Sequence, residues 1–122
     1  MSYHIGDYKT ESKDYRGWFV GSFADKGPRY TEDVEVKYWE FEPGPNNHPM
    51  KKSVTTEVTL LLSGRTEAVI NGEKFTFVAG QYAIIHPGTP NNLVENVLEK
   101  SIGITIKAPS DINSKIVIKE DE

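Results

Sequence analysis

From Arg16 onward, short runs rich in Val, Ile, Thr and aromatic residues are broken every several residues by Gly, Pro and Asn, and no stretch carries a sustained helical stripe. That rhythm belongs to an all-β sandwich or barrel. The runs fall at residues 17–24, 33–42, 55–62, 65–70, 73–78, 81–86, 92–98, 100–107 and 114–119. In the segment TEAVI-NG-EKFTF, Asn71 and Gly72 stand where a two-residue hairpin turn needs positive φ angles, so residues 65–78 are predicted to form a β-hairpin. Ile102, Ile104 and Ile106 alternate with Ser101, Gly103 and Thr105, which predicts one buried face and one small or polar face. Closing a small barrel hides its sheet edges and leaves a lumen able to hold a small ligand.

The chain of 122 residues suits one domain. Residues 1–15 are polar and follow neither apolar period, so they read as an N-terminal arm that orders only where something covers it. Residues 16–119 form the barrel domain, and 120–122 end it as a solvated tail. Fourteen Lys and Arg against eighteen Asp and Glu leave a net charge of −4, which argues against nucleic acid as a partner. No cysteine is present, so disulfides, thiolate metal sites and cysteine nucleophiles are excluded. No apolar run approaches the roughly 20 residues of a membrane helix, and the opening MSYHIGDYKT lacks the apolar core of a secretory signal. The expectation is a cytoplasmic protein without a membrane partner. The nucleophile elbow G-x-S-x-G, the phosphate and dinucleotide glycine loops and the zinc motif H-E-x-x-H are all missing.

At Gly44 begins a spacing that resembles the cupin superfamily. Its first motif, G-x5-H-x-H-x4-E-x6-G, falls here on Gly44, Met50, Lys52, Glu57 and Gly64. Its second, G-x5-P-x-G-x2-H-x3-N, falls on Gly80, His86, Gly88, Asn91 and Glu95, with the predicted hairpin between the two. The resemblance covers residues 33–107 and implies a single-domain, cupin-like double-stranded β-helix, that is, a jelly-roll barrel. Metal-bearing cupins hold their ion with the three histidines and the glutamate of these motifs. Here Met50, Lys52 and Asn91 replace the histidines and only Glu57 remains; sliding the frame by one residue offers Lys51 and Ser53 instead. A protonated lysine has no lone pair, a thioether suits hard ions poorly and an amide binds weakly. No metal and no other cofactor is therefore expected. The stretches RGWFVGSF and DVEVKYW are similar to the leading strands of small uncharacterised bacterial cupins that have also lost these ligands.

Glu57 alternates with Val58, Leu60 and Leu62, and periodicity alone leaves open which face lines the lumen. The cupin frame implies that Glu57 points inward, where its carboxylate needs a cationic partner, and Lys52 is the candidate. Asn91, Tyr38 and Met50 complete the candidate ligand-binding set. His86, at the end of an apolar run, and Tyr82 form a candidate base and acid, in the manner of metal-independent sugar-nucleotide isomerases and epimerases, which are similar in fold. His48 sits in the loop PGPNNHPM and is expected to be exposed. The aromatic residues Trp18, Phe19, Phe23, Tyr38, Trp39 and Phe41 exceed what a small core needs, so some should line a pocket or a subunit interface. The leading expectation is a metal-independent protein binding a small polar ligand, carbohydrate- or carboxylate-like, in the lumen of a homodimer. The alternatives are a sugar isomerase or epimerase and a non-catalytic structural or regulatory subunit.

Overall fold

The computed structural model describes residues 2–24, 27–111 and 113–118; the tail expected at 120–122 lies outside them. Among the described residues, nine strands follow a short helical turn, α1 (Tyr8–Glu11): β1 (Trp18–Val20), β2 (Glu35–Phe41), β3 (Gly44–Pro45), β4 (Lys51–Ser53), β5 (Thr56–Ile70), β6 (Glu73–Val78), β7 (Tyr82–Ile85), β8 (Asn91–Ala108) and β9 (Lys115–Val117). Among the described residues no helix is long and apolar enough to cross a membrane.

Every ladder is antiparallel, and the sheet curls on itself around two long strands. β5 and β8 pair from Thr56–Ala108 to Ile70–Asn91, with register shifts between Leu61 and Thr66, where both strands bend, and another between Glu67 and Val69. On one side of the bend the order is β1-β2-β8-β5-β7; on the other, β6 joins β5 while β3 and β4 join β8, with β9 beyond β4. The runs expected as separate strands at 55–62 and 65–70 are thus one bent strand, as are those at 92–98 and 100–107. Gly64, with φ +92°, makes the bend possible, since a Cβ there would run into the Lys100 carbonyl and Ser101. The hairpin forms as predicted, with Asn71 and Gly72 at φ 51° and 82° and Ile70 facing Glu73.

The alternation in β8 resolves against simple hydrophobic bookkeeping. Ser101, Gly103, Thr105 and Lys107 are the buried face, whereas Ile102, Ile104 and Ile106 point outward and are half-buried. The reason lies opposite Gly103, where β2 delivers Trp39: the indole occupies the space any Cβ at position 103 would need. Interior apolar volume comes from Trp39, Leu61, Ala68, Phe77 and Leu93 rather than from the isoleucines. The inward hydroxyls are paired, with Trp39 Nε1 donating to Thr105 Oγ1 at 3.0 Å and Thr59 Oγ1 2.9 Å from Thr105 Oγ1. Burial therefore leaves no described side-chain N or O without a partner.

The N-terminal arm is ordered by contacts with the outer side of β1 and β2. Asp7 caps α1 by accepting from the Lys9 and Thr10 amides, and the Tyr8 ring lies 5.0 Å from Tyr38 and 6.0 Å from Phe19. Arg29 binds the arm from the β1–β2 loop, with Nε 3.1 Å from Glu11 and Nη2 3.0 Å from Asp14.

Candidate functional site

The inward faces of β2, β5 and β8 carry Lys37, Trp39, Glu57, Thr59, Thr105 and Lys107 to one end of the lumen, beside the apolar cluster. β1 adds Trp18, β4 adds Lys51 and β9 adds Lys115, while Phe41 and His48 close the rim. These groups enclose a cavity of about 120 Å³. It shares Trp18, Lys37, His48, Lys107 and Lys115 with a wider depression of about 540 Å³ that also reaches Glu35, Asp14 and Asp111.

Strand pairing explains the arrangement. Glu57 faces Lys107 across β5–β8, and Lys37 faces Thr105 across β2–β8 and Trp18 across β1–β2. Glu57 is only 3% exposed. Its partner is Lys51, whose Nζ lies 3.1 and 3.3 Å from the two carboxylate oxygens and donates to Asn91 Oδ1 at 3.2 Å. The ammonium expected from Lys52 thus comes from its neighbour: adjacent residues of a strand point to opposite faces, and it is Lys51 and Ser53 that face inward. Met50 falls out of the cavity lining with Lys52, and its carbonyl accepts from the Ile118 amide. Asn91 is fully buried; its amide group also donates to the Thr89 carbonyl at 3.1 Å.

Asn91 does not itself line the cavity and reaches it only through Lys51, and the remaining sequence-derived candidates are not brought there at all. Tyr82 lies on the outer face of β7 opposite Leu60 and is 70% exposed, and His86 is exposed just past the end of the same strand. Neither lines the lumen. Tyr38 alternates with Lys37 and Trp39 and therefore faces the N-terminal arm, where burial and a hydrogen bond to Glu40 push its hydroxyl up to about 12. Its hydroxyl is taken by Glu40, and the side chain does not reach the cavity as a ligand-binding group.

What the sequence reading missed is the lysine content. Four lysines, Lys37, Lys51, Lys107 and Lys115, surround one carboxylate in the cavity wall of a chain whose net charge is −4. Trp18 stands against two of them, with Lys37 Nζ 5.6 Å and Lys107 Nζ 5.5 Å from its ring centroid. Burial and the neighbouring Lys115, Lys51 and Lys107 charges lower the Lys37 amine to about 8. Lys107 is lowered by burial too, although Glu57 and Glu35 oppose the shift. His48, with its ring 5.0 Å from Phe41, is held low by burial and then by Lys37, Lys115 and Lys51. Glu35, in the adjoining depression, is raised by burial against the pull of Lys107. A signal was available: Lys37 is in phase with Trp39 and Phe41, and Lys107 with Gly103 and Thr105.

The donor set does not fit a cupin metal. Lys51 brings an ammonium group to the one surviving carboxylate, Asn91 offers a neutral amide, and among the described residues no three His, Asp or Glu side chains converge.

No protein-family profile matches the chain, and no curated protein does either. Solved structures do. An uncharacterised conserved protein with a double-stranded β-helix domain from Klebsiella pneumoniae is similar over 74% of this chain and 78% of its own, with a TM-score of 0.64 and 23% identity. The DMSP lyase DddQ from Ruegeria pomeroyi matches 93% of this chain at a TM-score of 0.66 and 12% identity, over 59% of its own length. Oxalate decarboxylase from Bacillus subtilis matches at a TM-score of 0.60 and 15% identity, and there the chain spans only 24% of the neighbour. At these identities the likeness establishes architecture alone: the chain is a cupin-fold protein, a double-stranded β-helix.

Proposed function

We propose that the lumen binds a small organic anion, a carboxylate in the first instance, with its carbon skeleton against Trp39, Phe41 and Leu93. The observation that carries this reading is the excess of four lysines over one carboxylate around an interior cavity. Lys51 is committed to Glu57 and Asn91, whereas Lys37, Lys107 and Lys115 enter no described ion pair, with Glu35 beside them in the adjoining depression. Ammonium groups next to low-dielectric walls are costly unless an anion compensates them, so ligand binding relieves a penalty already present in the free protein. At about 120 Å³ the cavity holds several waters, which suits the charged end of a small acid. A barrel serving only as a packed structural core would have no use for this charge.

Trp18 and Trp39 report on the site. Titrating acetate, lactate and benzoate against their uncharged amides should give a saturable change in tryptophan fluorescence for the acids only, and the affinity should fall as salt is raised. An equal response to the amides, or none to any acid, overturns the reading.

A further inference from the structure

We propose that Lys37 is a nucleophilic amine that forms an imine with a small oxo acid held in this cavity. The inference rests on the anion-binding reading above and adds what the site does to its ligand.

Of the cavity lysines, Lys37 is set apart by its surroundings. Lys51 has Glu57 as counter-ion, and the Glu57 carboxylate is taken. Lys107 lies directly across the β5–β8 ladder from Glu57 and across the β2–β8 ladder from Glu35. Lys37 enters no described ion pair or side-chain hydrogen bond; its Nζ approaches the Trp18 ring, and its aliphatic stem packs against Gly17, where a Cβ would come within 2.9 Å of Cε. The groups facing it are Glu57 from β5, Lys51 from β4, Lys107 from β8, Lys115 from β9 and His48 from the rim. Three of these are cations of the same sign, Glu57 is engaged by Lys51, and the acids of the adjoining depression that Lys37 also lines, Glu35, Asp14 and Asp111, make no described ion pair with it. A desolvated lysine beside other cations is the environment in which an amine loses its proton near neutrality and becomes a nucleophile. With the amine lowered to about 8, about a tenth of it is free at pH 7, on the order of a hundredfold more than for an exposed lysine.

The same wall supplies the second requirement, a charge that orients the electrophile. With the carboxylate of an oxo acid against Lys107 and Lys115, its carbonyl carbon is presented to the Lys37 amine. The amine lone pair forms the C–N bond while the carbonyl oxygen takes up a proton. The resulting carbinolamine loses that oxygen as water when the C–O bond breaks and C=N forms. Counted from the ammonium form, the oxo acid and the lysine give the protonated imine and one water, with no oxidant, reductant or net proton required. The imine is an electron sink, so the class of chemistry it opens is bond cleavage or proton exchange at the carbon next to C=N.

The test uses pyruvate as probe. The whole chain is incubated at pH 7 with pyruvate and sodium cyanoborohydride, digested and mapped by mass spectrometry. Lys37 should gain one pyruvic acid less one oxygen atom, at least roughly tenfold faster than any other lysine, and Lys37→Arg should abolish that labelling while leaving the remaining lysines unchanged. Labelling spread evenly over surface lysines, or absent, overturns the proposal, and the wild-type map decides this even if the variant fails to fold. Lactate, which has no carbonyl, separates the two readings. Saturable lactate binding without a Lys37 adduct removes the imine and keeps the anion site; an adduct at Lys37 without lactate binding removes the anion site and keeps the reactive amine.

Discussion

Lys37 is a residue the fold carries at a cost, and that cost has a sign. Its amine is lowered to about 8 in the folded chain, against roughly 10.4 for an exposed lysine in the unfolded one. Between those values the unfolded state holds a proton that the folded state has released, so stability rises with pH across that window. Below about pH 8 both states are protonated and the folded chain bears the full penalty. Lys107, lowered for the same leading reason, adds to the slope. Replacing Lys37 with Met keeps an unbranched stem beneath Trp18 and removes the charge. The Lys37→Met protein should therefore be more stable than wild type at pH 7, with the gap closing as pH climbs from 8 towards 10. Urea unfolding midpoints at four pH values across that range check it; a gap that does not depend on pH contradicts the burial argument for this amine.

At the scale of elements, the site exists because β2, β5 and β8 turn small and polar side chains inward and let one indole fill the space. Gly103 is the hinge of that exchange, since Trp39 lies over it and reaches Thr105. Gly103→Ala should cost about 1–3 kcal/mol, the usual range for overpacking a filled interior, because the clash is with a rigid ring rather than a flexible side-chain end. Thermal unfolding together with a shift in tryptophan emission checks it, and an unchanged melting temperature would mean that the indole has room to move. The same elements mark what was legible in the sequence. The hairpin at Asn71-Gly72 and the glycine frame were readable because each is a local demand for positive φ, met at Gly44, Gly64, Gly80 and Gly88 as well. The inward face of β8 was not, because alternation gives two faces without saying which is the lumen, and Trp39 comes from 64 residues earlier in the chain. That Lys51 rather than Lys52 reaches Glu57 is hidden in the sequence for a related reason. A two-way ambiguity in strand phase is settled only by the partner across the ladder, here Asn91 opposite Lys51. His86 and Tyr82 were attractive for their chemistry, but the alternation of β7 that buries Ile85 turns Tyr82 out.

For the whole molecule, the face turned away from the lumen poses the remaining question. Because the interior takes the polar side of β5 and β8, the apolar side lies outside. Val58 sits between Ile106 and Ile84, and Leu60 between Ile104 and Tyr82, in continuous cross-strand rows. Leu60, Leu62, Tyr82 and Ile84 are 37–70% exposed. An uninterrupted apolar patch of this kind is unusual on a solitary chain and usual at an interface. Its centre is uncharged, and the ion pairs Arg65–Glu99 and Lys100–Glu40 mark the end nearest the bend with both signs. Such a surface needs no partner of opposite charge, and we propose that a second copy of this chain occupies it about a two-fold axis. The exposed aliphatic residues of β5 and β7, rather than the aromatic residues of β1 and β2, are therefore the expected homodimer contact. Since the cavity lies on the other side of the sheet, pairing here leaves it open. Sedimentation velocity should give a dimer for the wild-type chain and a monomer for Leu60→Lys with Ile84→Lys, with lactate binding in the lumen unchanged between the two. A wild-type chain that stays monomeric over a wide concentration range would leave this face without the partner its composition calls for, and the self-association argument would fall.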